Sequence, residues 1–264
     1  MSLGRGGGDD RFERWMAALE ARHLADLTFE QVARALRALS STYVERRRRL
    51  AEGAALDGAG KRAAFALFYG PLHYLLVRSI VLSLPHAADG VGAPVTLLDL
   101  GCGTGAAGAA WATSSSTAPR VVGIDRHPWA VGEAAWTYRA FGLRARATQN
   151  EVAKASWPND PASILAAFVL NELSDSARDA VLARAVDRAT GRKGKRDGDR
   201  LLVVEPLAGF VAPWWDRWRA AVTSAGGRAD EWRVRVELPA IVAKLDRAAG
   251  LDHRELTGRS LWLA

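Results

Sequence analysis

The sequence predicts an α/β protein with a doubly wound, mostly parallel sheet, preceded by a helical N-terminal subdomain. Three observations carry that expectation. From Pro94 onward, short apolar runs alternate with helix-compatible segments, the order that builds βα units. Val95–Leu98 leads through Asp99 into Gly101, Gly103 and Gly105, and then into Ala106–Ala112. A strand, a tight glycine turn and a helix N terminus in that order form a nucleotide-binding corner. Before Pro94, apolar residues recur at helical spacing instead.

In the N-terminal stretch, Phe12, Trp15, Met16 and Leu19 share one helical face behind Asp9 and Asp10 as caps. Thr28-Phe29-Glu30-Gln31 has the form of a capping box, opening a helix with Phe29, Val32, Leu36, Leu39 and Tyr43 on one side. Residues 52–60 read as a loop. Residues 61–84 resume helix, with a break expected near Gly70-Pro71. The expected division is a helical subdomain over 1–90, acting as a substrate cap, and a sheet domain over 91–264.

Within the sheet domain the first strand is expected over 95–100, and the second is Val121–Asp125, followed by a helix from Pro128 to about Phe141. A third strand is expected near 143–148 and a fourth over 163–170. Then follow a helix at 175–189 and a fifth strand, Leu201–Glu205. Pro213 suits the first turn of a helix that Gly226-Gly227 ends. Trp232–Leu238 alternates like a strand, 239–249 reads as a helix, and 253–257 with 260–263 read as a C-terminal antiparallel hairpin around Gly258.

Composition narrows the classes. A chain of 264 residues with 49% hydrophobic content supports a substantial core. The single cysteine, Cys102, excludes an internal disulfide and a cysteine-based metal site, and no metal is expected. Cys102 lies inside the glycine turn, where it reads as a small filler. The N terminus lacks the apolar core of a secretory signal, and Gly70, Pro71, His73 and Arg78 interrupt the apolar stretch 65–84. A cytoplasmic protein without a membrane span is the expectation. The net charge of +7 raises the question of a polyanionic partner, with basic clusters at Arg46–Arg49 and Arg192–Arg200.

The strand-Asp-x-Gly-x-Gly-x-Gly arrangement resembles motif I of the class I S-adenosylmethionine (SAM) methyltransferases. The resemblance implies a Rossmann-like, seven-stranded sheet, SAM as cofactor, and contact of Gly101, Gly103 and Gly105 with its methionine part. The looser dinucleotide fingerprint Gly101-x-Gly103-x-x-Ala106 is also satisfied, but a carboxylate at Asp99 suits a cationic ligand better than a pyrophosphate. A nicotinamide oxidoreductase is also disfavoured by the lack of a Tyr-x-x-x-Lys pair after the fourth strand. Asp125, about 20 residues past Gly105, reads as the ribose ligand, with a helix N-cap as its alternative.

The cofactor-binding set is therefore Asp99, Gly101, Cys102, Gly103, Gly105, Asp125, Arg126, Asn150 and Asn171. Gln149 is the alternate to Asn150 for the adenine amino group, a contact the resemblance implies. Asn171 and Glu172, just after the fourth strand, are the catalytic candidates, with helix capping near Ser174 as the other reading. Glu205 lines the substrate side or makes a structural ion pair. Trp129 is a candidate neighbour of the adenosine, and one or two of the ten tryptophans are candidates for stacking on a planar substrate.

A helical N-terminal region, DLGCGTG, VLNEL and VVEP together are similar to the methyltransferase-like proteins related to the mitochondrial small-ribosomal-subunit assembly factor. That similarity implies an association with small-subunit ribosomal RNA. The chain departs from that branch over 229–238, where it has no cysteine cluster. The expected function is methyl transfer from SAM. Ribosomal RNA or a ribosome-associated component is the first acceptor class and a small metabolite the second. A non-catalytic RNA-binding or assembly protein that keeps the fold is the alternative.

Overall fold

The computed structural model describes residues 8–45, 56–88, 94–191, 199–207 and 213–264. The Arg46–Arg49 cluster and residues 192–198 of the second basic cluster lie outside these. The chain forms two units, one of Met1–Leu75 with Arg235–Glu255, the other of Leu76–Val234 with Leu256–Ala264. The expected boundary stood at residue 90 and left 235–255 with the sheet.

The first unit is helical. Helix α1 (Gly8–His23) buries Trp15 and Leu19, and the Phe12 ring stacks on Tyr74 at 4.7 Å. Helix α2 (Phe29–Glu45) starts with the expected capping box. Thr28 N–H donates to Gln31 Oε1 at 2.8 Å, and Gln31 N–H donates back to Thr28 Oγ1 at 3.3 Å. Its apolar stripe buries Val32, Leu36 and Leu39. Helix α3 (Ala59–Ala64) does not break at Gly70-Pro71 as expected. It passes through a π turn, Phe65–Tyr69, into α4 (Gly70–Ser83). Pro71 has no N–H for the preceding turn. The wider π register absorbs the mismatch, with Gly70 N–H donating to Phe65 C=O. Ala59–Ser83 is thus one run of 25 residues, long and apolar enough by length and composition to cross a membrane. Helix α9 (Ala240–Ala248) completes the unit, and its Asp246 carboxylate holds both the backbone N–H and the ring Nδ1 of His253.

The second unit is built on a seven-stranded sheet. Its strands are β1 (Thr96–Leu100), β2 (Arg120–Asp125), β3 (Ala145–Gln149), β4 (Ala162–Ala167), β5 (Arg200–Glu205), β6 (Arg228–Val234) and β7 (Leu256–Leu263). Their order is β3-β2-β1-β4-β5-β7-β6. Strands β1 to β5 are parallel, and β7 runs antiparallel between β5 and β6. Strands β1 and β4 are buried throughout, as central parallel strands covered on both faces must be. Between them the helices are α5 (Ala106–Ser114), α6 (Pro128–Ala140), α7 (Asp175–Ala189) and α8 (Trp215–Ser224). Strand addition reverses direction between β1 and β4, which makes the carboxyl ends of those two strands the switch point where ligands bind in such sheets.

The C-terminal antiparallel pair exists, but not as a terminal hairpin. Strand β7 runs unbroken through Gly258 and pairs with β6, and β6 begins directly after Gly226-Gly227, four residues earlier than the alternating run suggested. Gly258 is not a turn. A Cβ there would stand 3.0 Å from Leu76 Cδ2, so the glycine permits close packing inside a strand. Strand β4 also stops earlier than expected, at Ala167, because Phe168 takes a positive φ of 60°.

Candidate functional site

The glycine turn follows from what stands on either side of it. Gly101 has φ +66°, and a Cβ there would lie 2.1 Å from Val169 Cγ2. Only glycine lets the exit of β1 lie against the exit of β4. The turn is tied to β2 at two points. Cys102 N–H donates to Ile124 C=O at 2.9 Å, and Gly103 N–H donates to Asp125 Oδ2 at 2.9 Å. Cys102 is buried, as expected of a filler.

Asp125 closes β2 with a partly exposed carboxylate. Its Oδ1 accepts from His127 N–H at 2.8 Å. A carboxylate can accept about four hydrogen bonds, so two backbone amides leave room for ribose hydroxyls. The N-cap of α6 is His127, whose Nδ1 accepts from Trp129 N–H at 3.2 Å. The capping alternative for Asp125 therefore falls to its neighbour. Arg126 is partly exposed, and its guanidinium stands 3.8 Å from Glu172. Asn150 follows β3, exposed, with its N–H on Asp125 C=O at 2.9 Å and its Oδ1 accepting from Glu151 N–H. Gln149 Nε2 donates to Arg126 C=O.

Asp99 corrects the picture of a carboxylate beside the turn. It is 1% exposed and faces inward, where its Oδ2 accepts from the Tyr138 hydroxyl at 2.8 Å and a Cβ on Gly108 would collide with it at 2.3 Å. Burial pushes its pKa up to about 7. The Tyr138 hydrogen bond works against that rise, and the charge of Asp125 adds to it. Asp99 supports the turn from beneath.

Beyond β4, a 3₁₀ turn, Leu170–Glu172, carries both catalytic candidates. Ser174 is the cap of α7, its Oγ accepting from Ala177 N–H, so neither candidate is a cap. Asn171 is held at both ends. Its Nδ2 donates to Glu205 Oε2, and its Oδ1 accepts from Trp214 Nε1–H at 3.0 Å. Such a side chain shapes the turn, which corrects the expectation of an amide open to acceptor or cofactor. Glu205 is fully buried and also accepts Leu170 N–H at 2.9 Å. Burial raises its pKa to about 8, the Leu170 hydrogen bond opposes this, Glu172 reinforces it, and Arg259 opposes it. No ion pair of Glu205 forms among the described residues. Glu172 keeps a side chain about one-third exposed. Burial lifts its pKa to about 7, with Arg126 pulling it down and Asp125 pushing it up.

Sequence reasoning missed Tyr138, Trp214 and Arg259. Trp214 stacks beside Trp215 at 5.6 Å, and the Arg259 guanidinium lies 4.2 Å over the Trp215 ring. Both tryptophans are buried, so neither offers the open stacking surface that was considered. Nothing local marks these residues. Their roles come from strands and helices distant in sequence. Trp129 sits 6.3 Å from the His127 ring at the start of α6.

The switch point therefore gathers the glycine turn, Asp125, Arg126 and Glu172. One cation faces several acids, which suits a positively charged sulfonium and ammonium and repels a pyrophosphate. The Gly103 amide, a natural phosphate donor, is already given to Asp125. These residues fit S-adenosylmethionine. Among the described residues, no group of three or more His, Cys, Asp or Glu could hold a metal ion.

Residues 97–190 match the family model described as a methyltransferase domain. No curated protein matches by sequence. Among solved structures, the mitomycin 7-O-methyltransferase MmcR superposes with a TM-score of 0.51 at 16% identity, over 94% of this chain and 71% of that one. An O-methyltransferase family protein from Burkholderia thailandensis gives 0.52 at 15% identity, over 80% and 62%. At these identities the likeness is one of fold.

Proposed function

We propose that this chain, which carries a class I, seven-strand S-adenosylmethionine-dependent methyltransferase domain, moves the methyl group onto an oxygen or nitrogen that bears a proton, with Glu172 as the general base. S-adenosylmethionine is the cofactor and supplies an already activated methyl group. Gly101, Gly103 and Gly105 would lie along its methionine part, and Asp125 would hold the ribose. Asn150, with Gln149 beside it, stands where an adenine would end. The Glu205–Asn171–Trp214 chain of hydrogen bonds holds the turn after β4 rigid, so that the acceptor meets the methyl group in line. Glu172, with its pKa near neutrality, takes the acceptor's proton as the new bond forms.

The observation that carries this reading is a partly exposed carboxyl of near-neutral pKa on the turn after β4, beside Arg126 and Asp125. We assign RNA of the small ribosomal subunit, or a component bound to it, as the first acceptor class, on the net charge of +7 and the short motifs shared with that branch. A small metabolite is the second. Incubating the protein with methyl-labelled SAM and separated RNA, protein and metabolite fractions tests it. Label is expected in one fraction and lost in Glu172→Gln. SAM binding with no fraction labelled would favour a scaffold protein and contradict the enzymatic reading.

A further inference from the structure

Phe168 is the residue that the reading above leaves unexplained. It has φ +60°, one of two positive-φ residues other than glycine among the described residues. The other, His86, lies in an exposed turn after α4. A bulky residue in this region is strained, and glycine would adopt it freely. The strain has a visible consequence. Phe168 N–H donates to Val204 C=O at 2.8 Å, the last rung between β4 and β5, and the chain then leaves the sheet. Val169 turns onto Gly101, and Leu170 N–H reaches Glu205. A glycine would make the same bend without strain. The Phe168 side chain is only partly buried, so core packing repays little of the strain. Strained backbone persists where a site needs the residue it carries. Phe168 also stands at the carboxyl end of β4, next to the switch point and three residues from the turn that holds Glu172.

Resting on the proposed methyl transfer, we infer that Phe168 is kept in this conformation to offer its ring to the acceptor, and that the acceptor presents a flat aromatic face. A free arene or an unstacked base could supply that face, since both stack on an aromatic side chain. Phe168 is then a specificity-determining residue of the reaction.

Two variants separate this role from a structural one. Phe168→Gly removes ring and strain together, and Phe168→Ala removes the ring and keeps the strain. Thermal midpoint, SAM affinity, and binding to the S-adenosylhomocysteine-saturated protein of 2-naphthol, decahydro-2-naphthol and a single-stranded RNA decamer are measured. Expected is a midpoint for Phe168→Gly equal to or above wild type and above Phe168→Ala. SAM affinity stays within about twofold, while 2-naphthol or the RNA binds about tenfold more weakly to both variants. The probe that loses affinity identifies the source, and decahydro-2-naphthol should bind poorly throughout. A midpoint for Phe168→Gly below that of Phe168→Ala overturns the inference, as does equal binding of the flat probes by wild type and variants. Wild-type protein that binds SAM but neither flat probe also overturns it. Wild type that fails to bind SAM removes the proposed function first, and this inference with it.

Discussion

The Tyr138 hydroxyl reaches under the glycine turn and donates to Asp99 Oδ2 at 2.8 Å, joining α6 to β1 at a point where both partners are buried. Tyr138→Phe keeps the ring against Gly105 and removes only the donor. A buried carboxyl left without its partner costs about 1–3 kcal/mol. A drop of several degrees in the thermal midpoint is expected, with SAM affinity weakened by about tenfold or less. An unchanged midpoint would mean that the hydrogen bond contributes nothing.

Three buried or half-buried carboxyls set the pH dependence of stability. Asp99 and Glu172 have pKa values raised to about 7, and Glu205 to about 8, against 3.8 for an ordinary Asp and 4.5 for an ordinary Glu. Each binds its proton more tightly in the folded state, so its stabilising contribution is full below the unfolded value and is lost as pH rises through the folded one. Stability should therefore fall between about pH 5 and pH 8. Chemical denaturation across that range checks it, and Glu205→Gln should flatten the slope. Stability rising over this window would contradict the buried placement of these groups.

Gly101→Ala places a methyl 2.1 Å from Val169 Cγ2 at a backbone φ of +66°. Both effects act in one direction, so loss of more than about 1 kcal/mol is expected, with SAM binding reduced at least tenfold. Pairing it with Val169→Ala should recover part of the loss, because the collision is with the Val169 side chain. No recovery in the double variant would locate the damage in the backbone alone. Calorimetric titration of the four proteins reads this directly.

Glu172→Gln is isosteric and cannot take a proton. A fall in kcat of about 10²–10⁴ is expected, with SAM affinity nearly unchanged. In the wild type, kcat should rise with pH through a group near 7 and lose that dependence in the variant. An intact pH profile in Glu172→Gln would assign proton removal elsewhere.

The glycine turn, Asp125 and the position of the turn after β4 are legible in the sequence because each depends on local spacing: a strand end, a tight turn, a helix start. Glu172 is legible for the same reason. The inward turn of Asp99 is not, since it depends on a tyrosine 39 residues away on α6. Nor is the clamping of Asn171, which needs Glu205 from β5 and Trp214 from the start of α8. The terminal hairpin was misread because Gly258 looks like a turn in isolation, and only the packing of Leu76 against it explains a glycine inside a strand. The unbroken helix through Gly70-Pro71 was likewise hidden, because a π turn has no sequence signature as plain as a proline.

The central claim is that the turn between β1 and α5 and the acid at the end of β2 together hold S-adenosylmethionine. Isothermal titration of the wild-type protein and of Asp125→Ala with SAM tests it most directly. Single-site binding by the wild type, weakened at least tenfold in a folded Asp125→Ala, is the predicted result. No binding by the wild type, or equal affinity in both proteins, would contradict it.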